Sequence, residues 1–129
     1  MSQLTIEVTD QNFQTEVLAN SLPVIVDFWA PWCGPCRKMM PMMDSLMVEY
    51  HNRIKIVKIN ADASKKLIKN LKILGVPYLV FYHKGEILFS QNGIINRKEL
   101  EGIFDSQIKK SEVRRLKSEE RSMPLFEKK

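Results

Sequence analysis

The sequence is poor in cysteine and histidine, with two residues of each kind in a chain of 129. A chain of this length buries roughly two-thirds of its unfolded surface on folding, so one domain can form a core without disulfide staples. A structural zinc site needs about four Cys or His ligands, and His51 and His83 lack the spacing of a metal motif. We therefore expect neither a disulfide framework nor a bound metal.

The sequence also lacks a long apolar run near its start. Residues 1–20 contain no basic start, no extended apolar stretch and no small-residue cleavage site. We therefore expect neither a secretory signal nor a membrane anchor, and the cytoplasmic compartment is the expected one. In that reducing environment a Cys-x-x-Cys pair, such as Cys33 and Cys36, is typical of catalysis or metal binding rather than of a structural disulfide.

A strong excess of basic residues is confined to the C-terminal end. Residues 109–129 contain eight Lys or Arg and four Glu, whereas residues 1–108 contain 12 basic and 11 acidic residues. We predict a domain over 1–108 and a charged basic tail over 109–129, which extends the last helix towards Pro124 and is disordered beyond it. A solubilising tail is favoured over a partner-docking segment anchored by Leu125 and Phe126. Nucleic-acid binding is not expected, because no aromatic residues alternate with the basic ones.

The first half of the chain alternates between strand and helix patterns. QLTIEV alternates apolar and polar residues like a strand, and NFQTEVLAN has helical spacing. VIVDFW is apolar almost throughout, as in a central strand that is buried on both faces. From Cys33 onwards the apolar residues recur at helical spacing, and Pro41 is expected to kink that helix because it has no backbone N–H to donate.

The second half continues with a strand, IKIVKIN, and a short helix, SKKLIKNLKI. YLVFYH and EILFSQ, which Lys-Gly joins, predict an antiparallel hairpin. RKELEGIFDSQI has the apolar stripe of a final helix. The order strand–helix–strand–helix–strand–helix–strand–strand–helix predicts an α/β fold, with a central mixed five-stranded sheet and helices on both faces.

Polar residues mark the predicted helix starts. Thr9 or Asp10 precedes the first helix, and Ser64 precedes the third. Asn96 with Glu99 forms a capping-box pattern before the last. Each of these side chains is expected to accept a backbone N–H from the helix that follows it in the chain.

Five methionines crowd the helical segment KMMPMMDSLM. Their spacing matches the buried stripe of that helix, and the flexible thioether side chain fills irregular gaps in a core. We therefore favour core filling over soft-metal binding or oxidation sensing as their role.

The segment VDFWAPWCGPC contains both cysteines, both tryptophans and Asp27. Cys33 is placed at the start of a helix, where free N–H groups and the positive end of the helix dipole stabilise a thiolate. Cys36 lies one turn later on the buried side, within reach of a disulfide. This arrangement favours thiol–disulfide exchange, in which Cys33 attacks and Cys36 resolves, over a metal site or two inert buried thiols.

Asp27 is the one carboxylate within this apolar strand. Enclosure by aromatic and aliphatic neighbours is expected to raise the pKa of Asp27, which suits it to take the proton that Cys36 must lose. The alternative is a solvated aspartate at the end of the strand. Lys58, on the third predicted strand, is a candidate charge partner for Asp27, and an exposed lysine without that role is the alternative.

VDFWAPWCGPC resembles the active-site segment of the thioredoxin family, for which Trp-Cys-Gly-Pro-Cys is a specific signature. The resemblance covers Leu4 to Ile108 and includes the Gly-Val-Pro at 75–77 and Gly93. It implies the thioredoxin fold with a cis peptide before the proline. It also implies reduction of protein disulfides by a redox-active Cys33–Cys36 pair, without a bound cofactor, and recharging by an NADPH-dependent thioredoxin reductase.

The same resemblance implies a role for each site residue. Cys33 matches the nucleophile, Cys36 the resolving thiol, and Asp27 a buried acid that acts through water, with Lys58 as its partner. The main chain of Val76 matches the segment that pairs with an extended client backbone. The substrate-binding rim would comprise Trp32, Gly34, Pro35, Gly75, Val76, Pro77, Gly93 and Ile94.

Four positions near this rim depart from the family pattern: Leu74, Tyr78, Asn92 and Ile94. The departures are expected to alter partner choice more than chemistry. A more apolar rim at Leu74 and Ile94 predicts a preference for unfolded or apolar clients.

Three function classes follow from these observations. A general disulfide reductase is favoured, because the Gly-Pro between the cysteines resembles that of the reducing relatives. A specialised oxidase or isomerase and a non-enzymatic binding subunit are the alternatives. The expected partners are disulfide-bearing client proteins and thioredoxin reductase, and we expect a monomer that binds neither nucleic acid nor membrane.

Overall fold

The computed structural model describes the backbone of residues 5–122 and the side chains of residues 5–110. Five strands form one sheet in the order β1-β3-β2-β4-β5. The expected disordered segment beyond Pro124, with Leu125 and Phe126, lies outside the described residues. The elements are β1 (Ile6–Glu7), a π-helical turn (Gln14–Leu18), β2 (Val24–Trp29), α1 (Gly34–Tyr50), β3 (Lys55–Asn60), α2 (Lys65–Asn70), β4 (Tyr78–His83), β5 (Glu86–Asn92) and α3 (Arg97–Ser122).

The sheet is mixed, as the order of predicted elements requires. β1, β3 and β2 run parallel to one another, whereas β4 is antiparallel to β2 and β5 is antiparallel to β4. Lys84 and Gly85 form the tight hairpin turn and both have positive φ, at 52° and 81°. That conformation matches the right-handed twist of the strands it joins. The predicted hairpin and the α/β fold are confirmed.

Two apolar clusters cover the two faces of the sheet. α1 and α3 pack on one face and include Met39, Met43 and Phe104 in their cluster, while Val17 and Leu67 belong to the cluster on the opposite face. Met39 and Met43 are 3% and 2% exposed. Core filling by the methionines of α1 is confirmed at these positions, and the helices lie on both faces of the sheet as predicted.

The first predicted α-helix is wrong in type. The segment instead forms a π-helical turn, in which the N–H of Ala19 donates to the carbonyl of Gln14 at 2.8 Å. Tertiary packing decides the conformation of this short turn. Phe13 and Val17 are buried, and the rings of Phe13 and Tyr82 pack edge to face with their centroids 5.7 Å apart. A turn of five residues has too few backbone bonds to set its own geometry against that packing.

Two of the expected helix caps are also wrong. Oγ1 of Thr9 accepts the N–H of Gln11 at 3.3 Å, but neither Thr9 nor Asp10 caps the π-helical turn, and Ser64 makes no capping bond to α2. Asp10 caps α2 instead, because its carboxylate accepts the N–H of Leu67 at 3.2 Å across 57 residues of chain. The cap of α2 is thus supplied by a distant loop.

The last helix begins as predicted. The N–H of Glu99 donates to Oδ1 of Asn96 at 2.8 Å, and the Asn96 side-chain amide donates to the Glu99 carboxylate at 2.5 Å. α3 continues without a break across residue 108 to Ser122. The division of the chain into 1–108 and 109–129 stays a prediction, as does a kink at Pro41 inside α1.

Candidate active site

The two cysteines lie where strand β2 gives way to helix α1. Cys33 is the N-cap residue of α1, and Cys36 occupies the first turn of the helix. The backbone N–H of Cys36 donates to Sγ of Cys33 at 3.2 Å. A disulfide joins Cys33 to Cys36, with their Cα atoms 5.3 Å apart. A sulfur at this position receives both a hydrogen bond and the field of the helix N-terminus, which favour negative charge on it.

The surroundings of the two sulfur atoms differ. Cys33 retains 4% of its surface in contact with solvent, whereas Cys36 retains none. Ala30, Trp29 and Val76 pack against the pair and exclude water from its inner side. A partner can therefore approach the disulfide only from the Cys33 side.

Asp27 lies on strand β2, two residues before Trp29. Its residue is 3% exposed, and no donor among the described residues lies within hydrogen-bonding distance of its Oδ1. The pKa of Asp27 is raised to about 7, because burial and, to a smaller extent, Glu7 raise it by more than Lys58 lowers it. A carboxyl group with this pKa exchanges protons near neutrality. The solvated alternative for Asp27 is therefore wrong.

Lys58 faces two carboxylates. It lies opposite Asp27 in the register of β2 and β3, and opposite Glu7 in the register of β1 and β3. Its Nζ lies 5.7 Å from the centroid of a ring of Trp29. The Trp29 indole N–H donates to the Glu7 carboxylate at 3.3 Å. Among the described residues, no ion pair within 4 Å joins Lys58 to Asp27, so the lysine acts on Asp27 through its field.

Glu7 is a residue that the sequence reasoning missed. It contributes to the electrostatics of Asp27, and burial raises the pKa of Glu7 itself. Its signal in the sequence is the polar position beside Ile6 in an alternating strand, but only the pairing of β1 with β3 places it next to Lys58.

The predicted client rim is assembled from three loops. The Val76–Pro77 peptide is cis, and Val76 packs against the cysteines. The N–H of Gly93 donates to the Pro77 carbonyl at 2.9 Å, so the Gly93–Ile94 loop lies beside the proline loop. Trp32, next to Cys33, is 68% exposed and Ile94 is 60% exposed. The structure therefore brings the start of α1, the proline loop and the Gly93 loop to one end of the sheet.

Asp62 is a second residue that the sequence reasoning missed in this role. Its carboxylate accepts the indole N–H of Trp32 at 3.1 Å. The backbone N–H of Asp62 donates in turn to Oδ1 of Asn60, at the end of β3, at 2.9 Å. The exposed Trp32 side chain is thereby tied to the loop after β3.

Two further observations concern the described part of the chain only. Residues 5–110 contain no group of three or more His, Cys, Asp or Glu side chains that could hold a metal ion. No helix within residues 5–122 combines the length and the apolarity needed to cross a membrane.

The sequence of the chain is similar to those of known proteins over most of its length. The family model for thioredoxin matches residues 4–106. The thioredoxin of Porphyra purpurea is 41% identical over 102 residues, which cover 79% of this chain and 95% of that protein. The thioredoxin of Buchnera aphidicola is 39% identical over 104 residues, covering 81% and 96%. Thioredoxin 1 of Synechococcus elongatus is 37% identical over 101 residues, covering 78% and 94%.

The matched region contains the whole sheet and the Cys33–Cys36 disulfide. The five-stranded sheet and the cysteine pair fit the thioredoxin fold and its Trp-Cys-Gly-Pro-Cys site. The chain belongs to the thioredoxin family and is a thiol–disulfide oxidoreductase.

Proposed function

We propose that this protein reduces disulfide bonds in client proteins and that an NADPH-dependent thioredoxin reductase restores its dithiol. The observation that carries the proposal is the position of Cys33, whose sulfur caps α1 and which keeps 4% of its surface exposed while Cys36 is fully buried. A thiolate is the attacking species in disulfide exchange, and this position stabilises one.

The reaction proceeds in two exchanges from the reduced protein. The Cys33 thiolate attacks one sulfur of the client disulfide, forming a mixed disulfide and releasing the other client sulfur as a thiolate. Cys36 then loses its proton and attacks Sγ of Cys33. This step forms the Cys33–Cys36 disulfide and releases the second client thiol, so two electrons have passed to the client. The short distance between the cysteine Cα atoms, 5.3 Å, supports the second exchange.

Asp27 takes the proton of Cys36 in the second exchange, through a bridging water. Its burial and its pKa of about 7 support this role, because a base with that pKa is available at neutral pH. Lys58 is a positioning residue that keeps part of the Asp27 population ionised, since it lowers the pKa of Asp27.

The three loops at the end of the sheet form the binding surface for the client. The client backbone extends along the main chain of Val76, beside the cis-Pro77 peptide that the Gly93 N–H holds in place. The remaining rim residues are Trp32, Gly34, Pro35, Gly75 and Ile94.

We also propose that the protein works in the cytoplasm as a monomer. It needs no bound cofactor, because the electrons reside in the cysteine pair, and a disulfide reductase works in a reducing compartment. We retain the division into a domain over 1–108 and a charged tail over 109–129.

The function is tested by coupling the protein to thioredoxin reductase, NADPH and a model protein with a reducible disulfide. NADPH consumption that depends on the protein is the expected result. Cys33→Ser is expected to abolish it, and Cys36→Ser to accumulate a mixed disulfide that mass spectrometry detects.

The equilibrium reduction potential distinguishes the alternative functions. A potential more reducing than the cytosolic glutathione poise supports the reductase. A strongly oxidising potential would assign the protein to the oxidases or isomerases. Full biological activity of a Cys33→Ser, Cys36→Ser double variant would show a binding subunit.

A further inference from the structure

An apolar groove lies beside the redox site, on α2 and the turn that follows it. Its volume is about 560 Å³, and Ile68, Ile73 and Leu74 form its apolar part. Leu74 is 99% exposed, more than any other large apolar side chain among residues 5–110. The side chains that surround this apolar part are Lys65, Lys69 and Lys72. We call this surface the lysine groove.

The charge of the lysine groove is local. Residues 63–83 contain four lysines and neither aspartate nor glutamate, whereas the rest of residues 1–108 contains eight basic and 11 acidic residues. The lysines are exposed, and none forms an ion pair within 4 Å among the described residues. An unpaired positive surface of this kind attracts acidic partners and increases their association rate.

The turn after α2 presents Leu74 to solvent by a specific backbone conformation. Lys72 has a φ of 57°, and its N–H donates to the carbonyl of Lys69 at 3.1 Å. The N–H of Ile73 donates to the carbonyl of Ile68 at 3.0 Å. These two bonds form a Schellman motif with lysine at the position that glycine usually occupies. The left-handed conformation is unfavourable for a non-glycine residue, and in this turn Ile73 is buried while Leu74 is exposed.

Both ends of the segment that carries the lysine groove are attached to the redox site. Asp62, three residues before α2, accepts the indole N–H of Trp32. Val76, two residues after Leu74, packs against the cysteines. Two residues span at most about 7 Å. A client bound through Leu74 is thus also within reach of the Cys33 sulfur.

We propose that the lysine groove binds an acidic segment of the client, in which an apolar side chain packs on Leu74 and Ile68 while neighbouring Asp or Glu side chains meet the lysines. This inference rests on the proposed reduction of client disulfides and specifies the clients: proteins whose reducible cysteine is flanked by acidic residues around an apolar one. Burial of the apolar anchor supplies affinity, and the lysines supply selectivity and rate.

The test uses two disulfide-bonded peptides that differ only in the residues flanking a leucine near the cysteine, Glu in one and Gln in the other. The full-length protein, with NADPH and thioredoxin reductase, is expected to reduce the Glu peptide with about tenfold higher kcat/KM at low ionic strength. The preference is expected to shrink as salt is added, because salt screens exposed charges. Reduction of both peptides at equal rates would overturn the proposed role of the lysine groove and leave the reductase function intact. If neither peptide were reduced, both the role of the groove and the reductase function would be overturned.

Charge variants separate the lysine groove from overall charge. Lys65→Gln, Lys69→Gln, Lys72→Gln is expected to remove the preference for the Glu peptide while reduction of the Gln peptide is retained. The matched control is Lys98→Gln, Lys109→Gln, Lys110→Gln. It removes the same number of exposed charges from α3, which packs on the opposite face of the sheet. An equal loss of preference in the control would overturn the proposal.

Leu74→Ser tests whether Leu74 anchors the client. This variant is expected to raise KM for the Glu peptide severalfold, and an unchanged KM would overturn the anchor. Sedimentation and RNA titration of the same variants test a second copy or a nucleic acid in the groove. Two results would overturn the client proposal if the two peptides also have equal kcat/KM. One is a dimer that Leu74→Ser dissociates, and the other is RNA binding that the triple lysine variant loses.

Discussion

Asp27 and Lys58 lie opposite each other on neighbouring parallel strands, and the same lysine lies opposite Glu7 on its other side. One cation therefore faces two carboxylates across three strands. Lys58 lowers the pKa of Asp27, but burial and Glu7 act in the other direction and bring that pKa to about 7. The pKa of Asp27 is thus set by burial and by two neighbouring charges, of which Glu7 lies on the edge strand β1.

Replacing Asp27 by Asn is expected to change how stability depends on pH. The folded protein holds the Asp27 proton up to about pH 7, whereas the ordinary aspartate pKa is 3.8. The stability from this group is therefore fully present below pH 3.8 and is lost as pH rises to about 7. The loss amounts to roughly 4 kcal/mol.

The measurement is urea unfolding of the oxidised proteins across this pH range. The free energy of unfolding of the wild type should fall relative to that of Asp27→Asn and then stay level above pH 7. Parallel stability curves for the two proteins across the range would contradict the pKa shift of Asp27.

Substitutions of Lys58 and of Glu7 are expected to shift the pKa of Asp27 in opposite directions. Lys58→Met removes a positive charge and raises the pKa of Asp27, whereas Glu7→Gln removes a negative charge and lowers it. The readout is the pH dependence of mixed-disulfide resolution, which rises as Asp27 ionises.

Glu86→Gln is the control for this pair, because Glu86 lies on β5 at the opposite edge of the sheet. Its pH profile should match that of the wild type. If Lys58→Met and Glu7→Gln shifted the pH profile in the same direction, the charges of Lys58 and Glu7 would not be the cause.

Removing the carboxylate of Asp10 is expected to destabilise the protein, although Asp10 is far from α2 in the sequence. Asp10→Ala leaves the N–H of Leu67 without its side-chain acceptor, at a cost of about 1 kcal/mol. Ser64→Ala should be neutral or stabilising, because the buried Ser64 hydroxyl has no hydrogen-bond partner in the described structure. The measurement is the free energy of unfolding of both variants in a chemical denaturant. A larger loss of stability in Ser64→Ala than in Asp10→Ala would show that Ser64 is the cap.

Loss of the Asp62 acceptor is expected to weaken client binding through Trp32. Asp62→Leu removes the acceptor of the Trp32 indole N–H, and a net hydrogen bond of about 0.5–1.5 kcal/mol corresponds to a two- to tenfold rise in KM. Asp62→Asn retains an acceptor oxygen and should behave like the wild type. Equal KM values for Asp62→Leu and the wild type would show that the indole needs no such support.

Several elements could be predicted from residues that are close together in the sequence. The hairpin at Lys84–Gly85 and the Asn96 cap of α3 depend on hydrogen bonds that span only a few residues, so their sequence patterns were sufficient. The placement of Cys33 at the start of a helix was equally local. The burial of Asp27 could be predicted because its strand is apolar almost throughout, as in a central strand that is buried on both faces.

Other features depend on which distant segments become neighbours. The π-helical turn at Gln14–Leu18 follows from packing on the sheet, and Asp10 caps a helix that lies 57 residues further along the chain. Glu7 lies next to Lys58 only because β1 pairs with β3 in this parallel register.

The sequence by itself determined the order of strands and helices, the cysteine pair at the start of a helix and the chemistry of that pair, because periodicity, capping and the helix dipole act over a few residues. Only the tertiary structure decided which charges surround Asp27, which residue caps α2 and where Leu74 lies exposed among its lysines. Strand register and side-chain burial depend on contacts between residues far apart in the chain, and these contacts form only when the whole sheet is assembled.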